Sequence, residues 1–250
     1  MASFEKRSLN PENTSHQYTM PDVYPVDSTE KLTGIVNPNS NMWLPSGLTV
    51  DERTKVMGTI DVDARLAVPR SPTIRKNFDL SVNKHVSSLL EQNKISKTDI
   101  RMPYIARWIK VNCEEQLEIN VHLCMIACLS DYRVLATAGL PHFWGYNFEK
   151  QDFGMTVSLD HTLHFHMPVK ANSWLLWVIE SPRLSNERGY VTGRFFDEQG
   201  VLVASVVQEA LIRAKPKPNA IKHFQYKSFP PVMENSEPDR FELKSTNSKL

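Results

Sequence analysis

Several sequence features are scarce or absent in this 250-residue chain, and each absence excludes a class of protein. It has only three cysteines, Cys113, Cys124 and Cys128, an odd, small number that argues for a reducing compartment and against a disulfide framework. The formal net charge is +1, so no global basic field points to nucleic acid as a partner. The longest wholly apolar run, residues 123–129, is far too short for a membrane span. Residues 1–17 lack the apolar core of a signal peptide.

The stretch from residue 156 to 215 contains four apolar runs separated by short polar turns. The runs at 190–196 and 201–213 are joined by residues 197–200, a loop that ends in glycine and predicts a hairpin. Alternate side chains of the last run share one strand face. They are Leu202, Ala204, Val206, Gln208, Ala210 and Ile212. Gln208 is the polar exception, and because a buried polar group is costly without a partner, we take it as a candidate site residue.

Residues 117–139 carry apolar side chains at helical spacing and predict a buried helix, which Gly139 and Pro141 end. Asp131 lies at the edge of the apolar stripe, where a carboxylate needs a partner or a function. In the alternative interpretation, Ser130 and Asp131 are cap-type residues that break the segment into two helices, with Asp131 starting the second.

The first 75 or so residues contain many prolines and no long periodic run. An irregular segment of that length is unusual in a compact domain, so we interpret it as a linker or as part of another unit. Residues 80–90 fit a short helix and residues 105–111 a strand. A strand, a long helix and four mostly antiparallel strands predict an α+β fold in which one curved sheet wraps one helix, the hotdog arrangement.

The last three residues are Ser248, Lys249 and Leu250, the tripeptide that the peroxisomal import receptor recognises. They end a polar tail that begins near Pro216 and is rich enough in proline and charge to be flexible. The sequence therefore predicts a peroxisomal protein that binds this receptor.

Several ordered motifs lie between residues 105 and 215. They are Ser130-Asp131-Tyr132, residues 157–162 followed by Phe165-His166, residues 180–183, Arg188-Gly189, and residues 203–205 followed by Gln208-Glu209. Together they resemble the second of the two hotdog modules found in the acyl-CoA thioesterase II family, particularly its peroxisomal members. Residues 1–4 resemble the last strand of the first module, and residues 16–21 the linker that follows it.

The resemblance implies a division into three parts. Residues 1–100 would be the remnant last strand of a first hotdog plus a partly irregular linker, residues 101–215 a single hotdog thioesterase module, and residues 216–250 a flexible tail with the targeting tripeptide. Most of a first module has no counterpart here, either because the gene is short or because its assigned start is late. Since a hotdog sheet has edges to cover, we expect a homodimer or pairing with another hotdog module.

For this family, the resemblance implies hydrolysis of acyl-CoA thioesters to a carboxylic acid and coenzyme A by Asp131, Ser158 and Gln208. No cofactor is expected beyond the coenzyme A of the substrate. Attack of water on a thioester requires a base, orienting groups and donors for the oxyanion. Asp131 would accept the proton, and Ser158 and Gln208 would hold the water, with Gln208 able to donate an N–H. An acyl-serine is disfavoured because no histidine is evidently placed to activate Ser158.

Other polar residues of the motifs receive supporting roles. Asp160 and His161 are expected to support the site or to contact substrate. Arg183 and Arg188, together with Lys170, are candidates for contact with coenzyme A phosphates; the alternative is a solvated basic rim. The substrate-binding prediction comprises Asp160, His161, Arg183 and Arg188, none of which is assigned to the chemistry.

The same residues allow plainer interpretations. Ser158 would lie on a solvent-facing strand face and Gln208 would be a satisfied core amide if the resemblance were set aside. Three histidines, His161, His164 and His166, invite a metal, but His161 is predicted on the opposite strand face and no acidic or cysteine ligands accompany them. No metal site is therefore expected.

Two other functions remain open at the level of sequence. One is hydration or dehydration of enoyl-CoA by a hotdog enzyme, and the other is a truncated, non-catalytic subunit. The pathway is also open, since fatty-acid metabolism and supply of an acyl group to secondary metabolism both fit a peroxisomal acyl-CoA thioesterase.

Overall fold

The computed structural model describes residues 17–23, 25–26, 51–56, 59–67, 91–92, 94, 103–113, 116–142 and 153–214. Three sequence predictions lie outside these residues. They are the helix at 80–90, the strand remnant at 1–4, and the tail that ends in Ser248, Lys249 and Leu250.

Within the described residues, eight antiparallel strands form one sheet, and two helices pack on one of its faces. The strands are β1 (Asp51–Val56), β2 (Ile60–Leu66), β3 (Tyr104–Val111), β4 (Phe153–Ser158), β5 (Thr162–Phe165), β6 (Leu175–Ser185), β7 (Arg188–Phe196) and β8 (Leu202–Ala214). The helices are α1 (Ile119–Leu129) and α2 (Val134–Gly139). The strand order is β1-β2-β3-β6-β7-β8-β4, and β5 lies beside β4 on the same edge of β8.

The predicted α+β hotdog architecture is confirmed, because one helical segment packs against one antiparallel sheet. The segment Ile119–Gly139 is long and apolar enough to cross a membrane by composition alone. However, α1 buries Leu123, Ile126 and Leu129 in a core shared with the sheet. We therefore attribute its hydropathy to this core.

A turn at residues 130–133 interrupts the helical segment. Ser130 caps α1, and α2 begins at Val134, after Arg133 in the left-handed region with a φ of 66°. The break that sequence analysis left open is thus present. However, Asp131 does not start the second helix; its backbone N–H bonds to the Cys128 carbonyl oxygen at 3.3 Å, in the turn.

The sheet extends beyond the segment predicted to contain it. Strands β1 and β2 lie within residues 1–100, assigned above to a remnant and a linker, yet β2 pairs with β3 along residues 62–66. Along β2 the buried Val62 and Ala64 alternate with partly exposed polar residues, a period-2 pattern that the surrounding prolines obscure. The boundary at residue 101 therefore divides one continuous sheet.

The opposite face of the sheet carries a second core. It is formed by Tyr104, Ala106, Trp108, Leu176, Val178 and Phe196, with Ala67, Val23 and Val26 packed on them. The side chain of Gln17 fixes this segment, because its Nε2 donates to the Gly200 carbonyl oxygen at 2.9 Å and its Oε1 accepts from the Leu202 N–H at 3.1 Å. Residues 17–23, 25 and 26 therefore cover the face opposite the helices.

The predicted hairpin between β7 and β8 is present. The Asp197 carboxylate accepts from the N–H groups of Gln199 and Val201, at 3.0 and 2.8 Å. Gly200 adopts a φ of 84°, which a residue with a Cβ disfavours. The hairpin fixes the register of β8 against β7 and thereby the position of Gln208.

Candidate active site

Three polar side chains from distant parts of the chain meet on the helix-facing side of the sheet. The Nε2 of Gln208, on β8, lies 2.8 Å from Oδ1 of Asp131 and 2.7 Å from Oγ of Ser158. Asp131 comes from the turn between the helices, and Ser158 is the last residue of β4. The structure thus brings together the three residues that the family resemblance implies.

The direction of these hydrogen bonds follows from the donors available. An ionised carboxylate only accepts, so the Gln208 amide must point its nitrogen at Asp131. The second Nε2 hydrogen then goes to Ser158, whose Oγ accepts. Both N–H hydrogens of Gln208 are therefore used to hold Asp131 and Ser158. The sequence prediction was different, because it had Gln208 hold the water together with Ser158. The hydroxyl hydrogen of Ser158 remains free of this bond.

The burial of the three residues is uneven. Gln208 is 0% exposed, and within the described part of the chain its Oε1 has no hydrogen-bond partner. Asp131 and Ser158 are exposed. Burying an unpaired acceptor costs about 1–3 kcal/mol, and such groups concentrate at functional sites. The site is therefore closed on the β8 side and open on the side of Asp131 and Ser158.

A bulge between β4 and β5 places Ser158. The N–H of Leu159 donates to the Glu209 carbonyl oxygen at 2.9 Å, and the Glu209 N–H donates to Oδ1 of Asp160 at 2.7 Å. The Asp160 carboxylate thus replaces a strand carbonyl in the ladder. Ser158 lies opposite Ala210 and so shares a face with Gln208, because alternate residues of a strand share a face. This contact assigns Asp160 to the scaffold of the site.

The bulge also touches the end of α1. Nε2 of His161 lies 3.0 Å from Oγ of Ser130, and Ser130 is 0% exposed. The Ser130 hydroxyl also donates to the Ala127 carbonyl oxygen at 2.6 Å. Ser130 was predicted as a cap and as part of a family motif, and the sequence did not predict this contact, although the position of Ser130 directly before Asp131 was a usable signal.

The basic residues predicted to contact coenzyme A are Arg183, Arg188 and Lys170. Arg188 pairs with Glu209 through an Nη1–Oε2 distance of 3.4 Å. It is opposite Leu211 in the β7–β8 register, which places it on the other face of the sheet from Gln208. Arg183 and Lys170 are exposed. Among the described residues, none of these three side chains forms a hydrogen bond or an ion pair with Asp131, Ser158 or Gln208, and their contact with coenzyme A stays a prediction.

The histidines do not converge. No group of three or more His, Cys, Asp or Glu side chains suited to a metal occurs among the described residues. His161 contacts Ser130, whereas Nε2 of His166 lies 2.8 Å from Oγ of Ser205. Burial, and then the neighbouring His164, lower the pKa of His166 below its ordinary value.

Comparison with known proteins places this site in a family. Residues 52–212 match the family model described as acyl-CoA thioesterase C-terminal domain. The chain belongs to this family. The match covers the sheet, the helices and Asp131, Ser158 and Gln208, and it confirms the resemblance drawn from the motifs.

Two curated acyl-CoA thioesterases show how much of this chain aligns with known proteins. Acyl-coenzyme A thioesterase 8 from Homo sapiens is 31% identical over 156 residues, which cover 59% of this chain and 47% of that protein. Peroxisomal acyl-coenzyme A thioester hydrolase 1 from Saccharomyces cerevisiae is 27% identical over 154 residues, 61% of this chain and 38% of that protein. The chain thus spans about half or less of the length of these two relatives.

The acyl-CoA thioesterase II TesB2 from Mycobacterium marinum matches with a TM-score of 0.48 and 22% identity, over 82% of this chain and 59% of that one.

Proposed function

We propose that this chain hydrolyses acyl-CoA thioesters to a carboxylic acid and free coenzyme A. The observation that carries the proposal is the convergence of Asp131 and Ser158 on the single buried amide of Gln208. Membership of the acyl-CoA thioesterase C-terminal domain family supports the same reaction class. A base and a hydroxyl on the open side of a buried amide suit the activation of water beside a bound thioester.

In the proposed reaction, Asp131 accepts a proton from water as the water oxygen bonds to the thioester carbonyl carbon. The Ser158 hydroxyl orients this water, because its hydrogen is not used in the bond from Gln208. The tetrahedral intermediate then expels the coenzyme A sulfur as the C–S bond breaks, and the proton held by Asp131 passes to the thiolate. Gln208 fixes the separation between base and hydroxyl throughout.

Pairing with a second hotdog module is part of this proposal. Strand β4 lies at an edge of the sheet, and it and the following bulge expose Met155, Val157 and Leu159 to 45, 44 and 43%. Exposed apolar strand edges favour pairing, and this edge ends at Ser158. A second copy or another hotdog module on β4 would supply the missing wall of the site. Light scattering during size exclusion tests this: Val157→Lys should reduce the mass to that of one chain, and a wild-type monomer would contradict it.

The proposed location is the peroxisome, because the chain ends in Ser248, Lys249 and Leu250. One of the relatives named above is a peroxisomal hydrolase. A fluorescent fusion at the N-terminus should enter peroxisomes and stay outside them when these three residues are removed. Import of both fusions would contradict the assignment.

Release of free thiol from acyl-CoA tests the activity. We expect release by the wild-type protein and a loss of at least about 100-fold in kcat for Asp131→Asn, since general bases contribute about 10²–10⁴ in rate. Glu198→Gln, which neutralises an exposed carboxylate in the β7–β8 turn, serves as the matched control and should leave kcat unchanged. Equal release by Asp131→Asn and wild type would remove Asp131 from the mechanism. Hydration of an enoyl-CoA without thiol release would favour the hydratase alternative.

A further inference from the structure

We propose that His161 is a positioning residue that holds the base and the hydroxyl of the site at their working separation. It acts through its hydrogen bond to Ser130, which we call the latch. The proposal rests on the thioester hydrolysis proposed above and adds to it a residue that positions the reacting groups without taking part in the chemistry.

The direction of the latch follows from the hydrogens available. The Ser130 hydroxyl has one hydrogen, and the Ala127 carbonyl oxygen accepts it at 2.6 Å. In the 3.0 Å contact with His161, the Ser130 oxygen must therefore accept, and the imidazole Nε2–H must donate. The other ring nitrogen is not needed for the latch. The role of His161 is to donate a hydrogen bond and not to exchange a proton.

The position of the latch gives it a function. Ser130 directly precedes the base Asp131, and His161 follows Ser158 by three residues across the bulge. The latch thus joins the helix end that carries the base to the segment that carries the hydroxyl. Gln208 bridges the same two elements from β8. Two bridges fix the pair better than one, because Asp131 and Ser158 are both exposed and each would otherwise be held to the other only through Gln208.

The acceptor end of the latch is rigid. Ser130 is fully buried, and its backbone N–H donates to the Ile126 carbonyl oxygen at 2.8 Å. The donor end is on an exposed bulge that two hydrogen bonds to Glu209 tie to β8. A bond from a rigid, buried acceptor to an exposed bulge restrains the bulge. The loss of the latch is therefore expected to move Ser158 more than Asp131.

Variants of the two latch residues test the proposal through kinetics. His161→Phe removes the donor but keeps a ring, and His161→Gln keeps an N–H donor at similar reach. We expect His161→Phe and Ser130→Ala each to lower kcat about 10- to 100-fold with KM within about 2-fold, since small misplacement of reacting groups is costly. His161→Gln should stay within about 3-fold of wild type, and the double variant His161→Phe/Ser130→Ala should be no slower than either single one.

The matched control is His164→Phe, a change of the same residue type three positions further on. His164 is exposed and lies opposite Ser205 on β8, away from the three-residue site. We expect no change in its kcat. Equal activity of His161→Phe and wild type, or equal losses in the two phenylalanine variants, would overturn the proposal.

Amide hydrogen exchange gives a second measurement that does not depend on turnover. The N–H groups of Tyr132 and Leu159 are protected by bonds of 2.9 Å to Leu129 and Glu209. We expect about 10-fold faster exchange at Leu159 in His161→Phe, and wild-type rates in His161→Gln. Unchanged exchange at Leu159 in His161→Phe would overturn the latch. If the wild-type protein released no thiol, the proposed function would fail, whereas the exchange pattern would still decide whether the latch restrains the bulge.

Discussion

Replacing Gln208 by glutamate would place a carboxyl where the structure has an amide nitrogen 2.8 Å from the Asp131 carboxylate. At that distance and an effective dielectric constant of about 20, two unit charges repel by about 6 kcal/mol. Because Asp131 is exposed, solvent screening should reduce this to about 3 kcal/mol. A further loss of about 1.5–3 kcal/mol comes from the missing hydrogen bond to a charged group.

The variant can relieve the repulsion by holding one proton between the two carboxyls, which raises the pKa of the introduced group in the folded state. A folded-state pKa above the unfolded value means that the folded protein binds more protons, so stability falls as pH rises. We therefore expect Gln208→Glu to lose about 5 kcal/mol relative to wild type at pH 8, from about 3 kcal/mol of repulsion and about 2 kcal/mol of lost hydrogen bonding, and markedly less at pH 5. The loss should develop from about pH 4.3, the ordinary glutamate value, upward.

Urea unfolding of the variant and wild type at several pH values between 5 and 8 measures this difference. Gln208→Met is the matched control, because it removes the same two hydrogen bonds without adding a charge. It also removes the unpaired Oε1 acceptor, so its cost should be only about 1–2 kcal/mol and independent of pH. A stability difference between Gln208→Glu and wild type that is constant from pH 5 to 8 would refute the close approach of Asp131.

Two further predictions concern the core. Gly193→Ala should lower the free energy of unfolding by about 3 kcal/mol, because the added Cβ would lie 2.1 Å from Cη2 of Trp177. Urea unfolding measures this loss, with Gly154→Ala on the edge strand as the control. A loss no larger than that of the control would contradict the close packing of Gly193 against Trp177. Burial, and then Lys170, lower the pKa of His122, whose Nδ1 accepts from the Ala171 N–H at 3.2 Å. The free energy of unfolding should therefore fall as pH drops below about 6.5. His122→Asn, which keeps a hydrogen-bond acceptor, should show a smaller fall. Identical pH dependence in the wild type and this variant would show that His122 does not cause the loss of stability.

The sequence predicts the strands and helices of the fold more clearly than the turns and bulges that join them. Periodicity of 2 predicts β7 and β8, and the loop residue Gly200 predicts their hairpin, because both signals are local. Strand β2 carries the same alternation, but its setting among prolines led to its interpretation as linker. The turn at 130–133 has no such signal, since Arg133 adopts a φ of 66°, a conformation that sequence would assign to glycine or asparagine.

The site depends on these junctions. Gln208 was identifiable as a polar residue on an apolar strand face, and Asp131 as a carboxylate at the edge of an apolar stripe. Their contact joins residues 77 positions apart and follows from the path of the turn, so no local pattern predicts it. The bulge at 159–161 also shifts the alternation between β4 and β5, which is why the contact of His161 could not be derived from strand periodicity.

The docking of residues 17–23, 25 and 26 has a practical consequence for anyone shortening this protein. That segment contains none of the proposed site residues, so a trimmed version starting near β1 would be a natural choice for crystallisation. Such a version would strip Val23 and Val26 from the hydrophobic surface around Trp108 and Leu176, and it would leave Gly200 and Leu202 without the amide that bridges them. The apolar surface uncovered in this way would promote aggregation of the purified protein, and a boundary before Gln17 would avoid this.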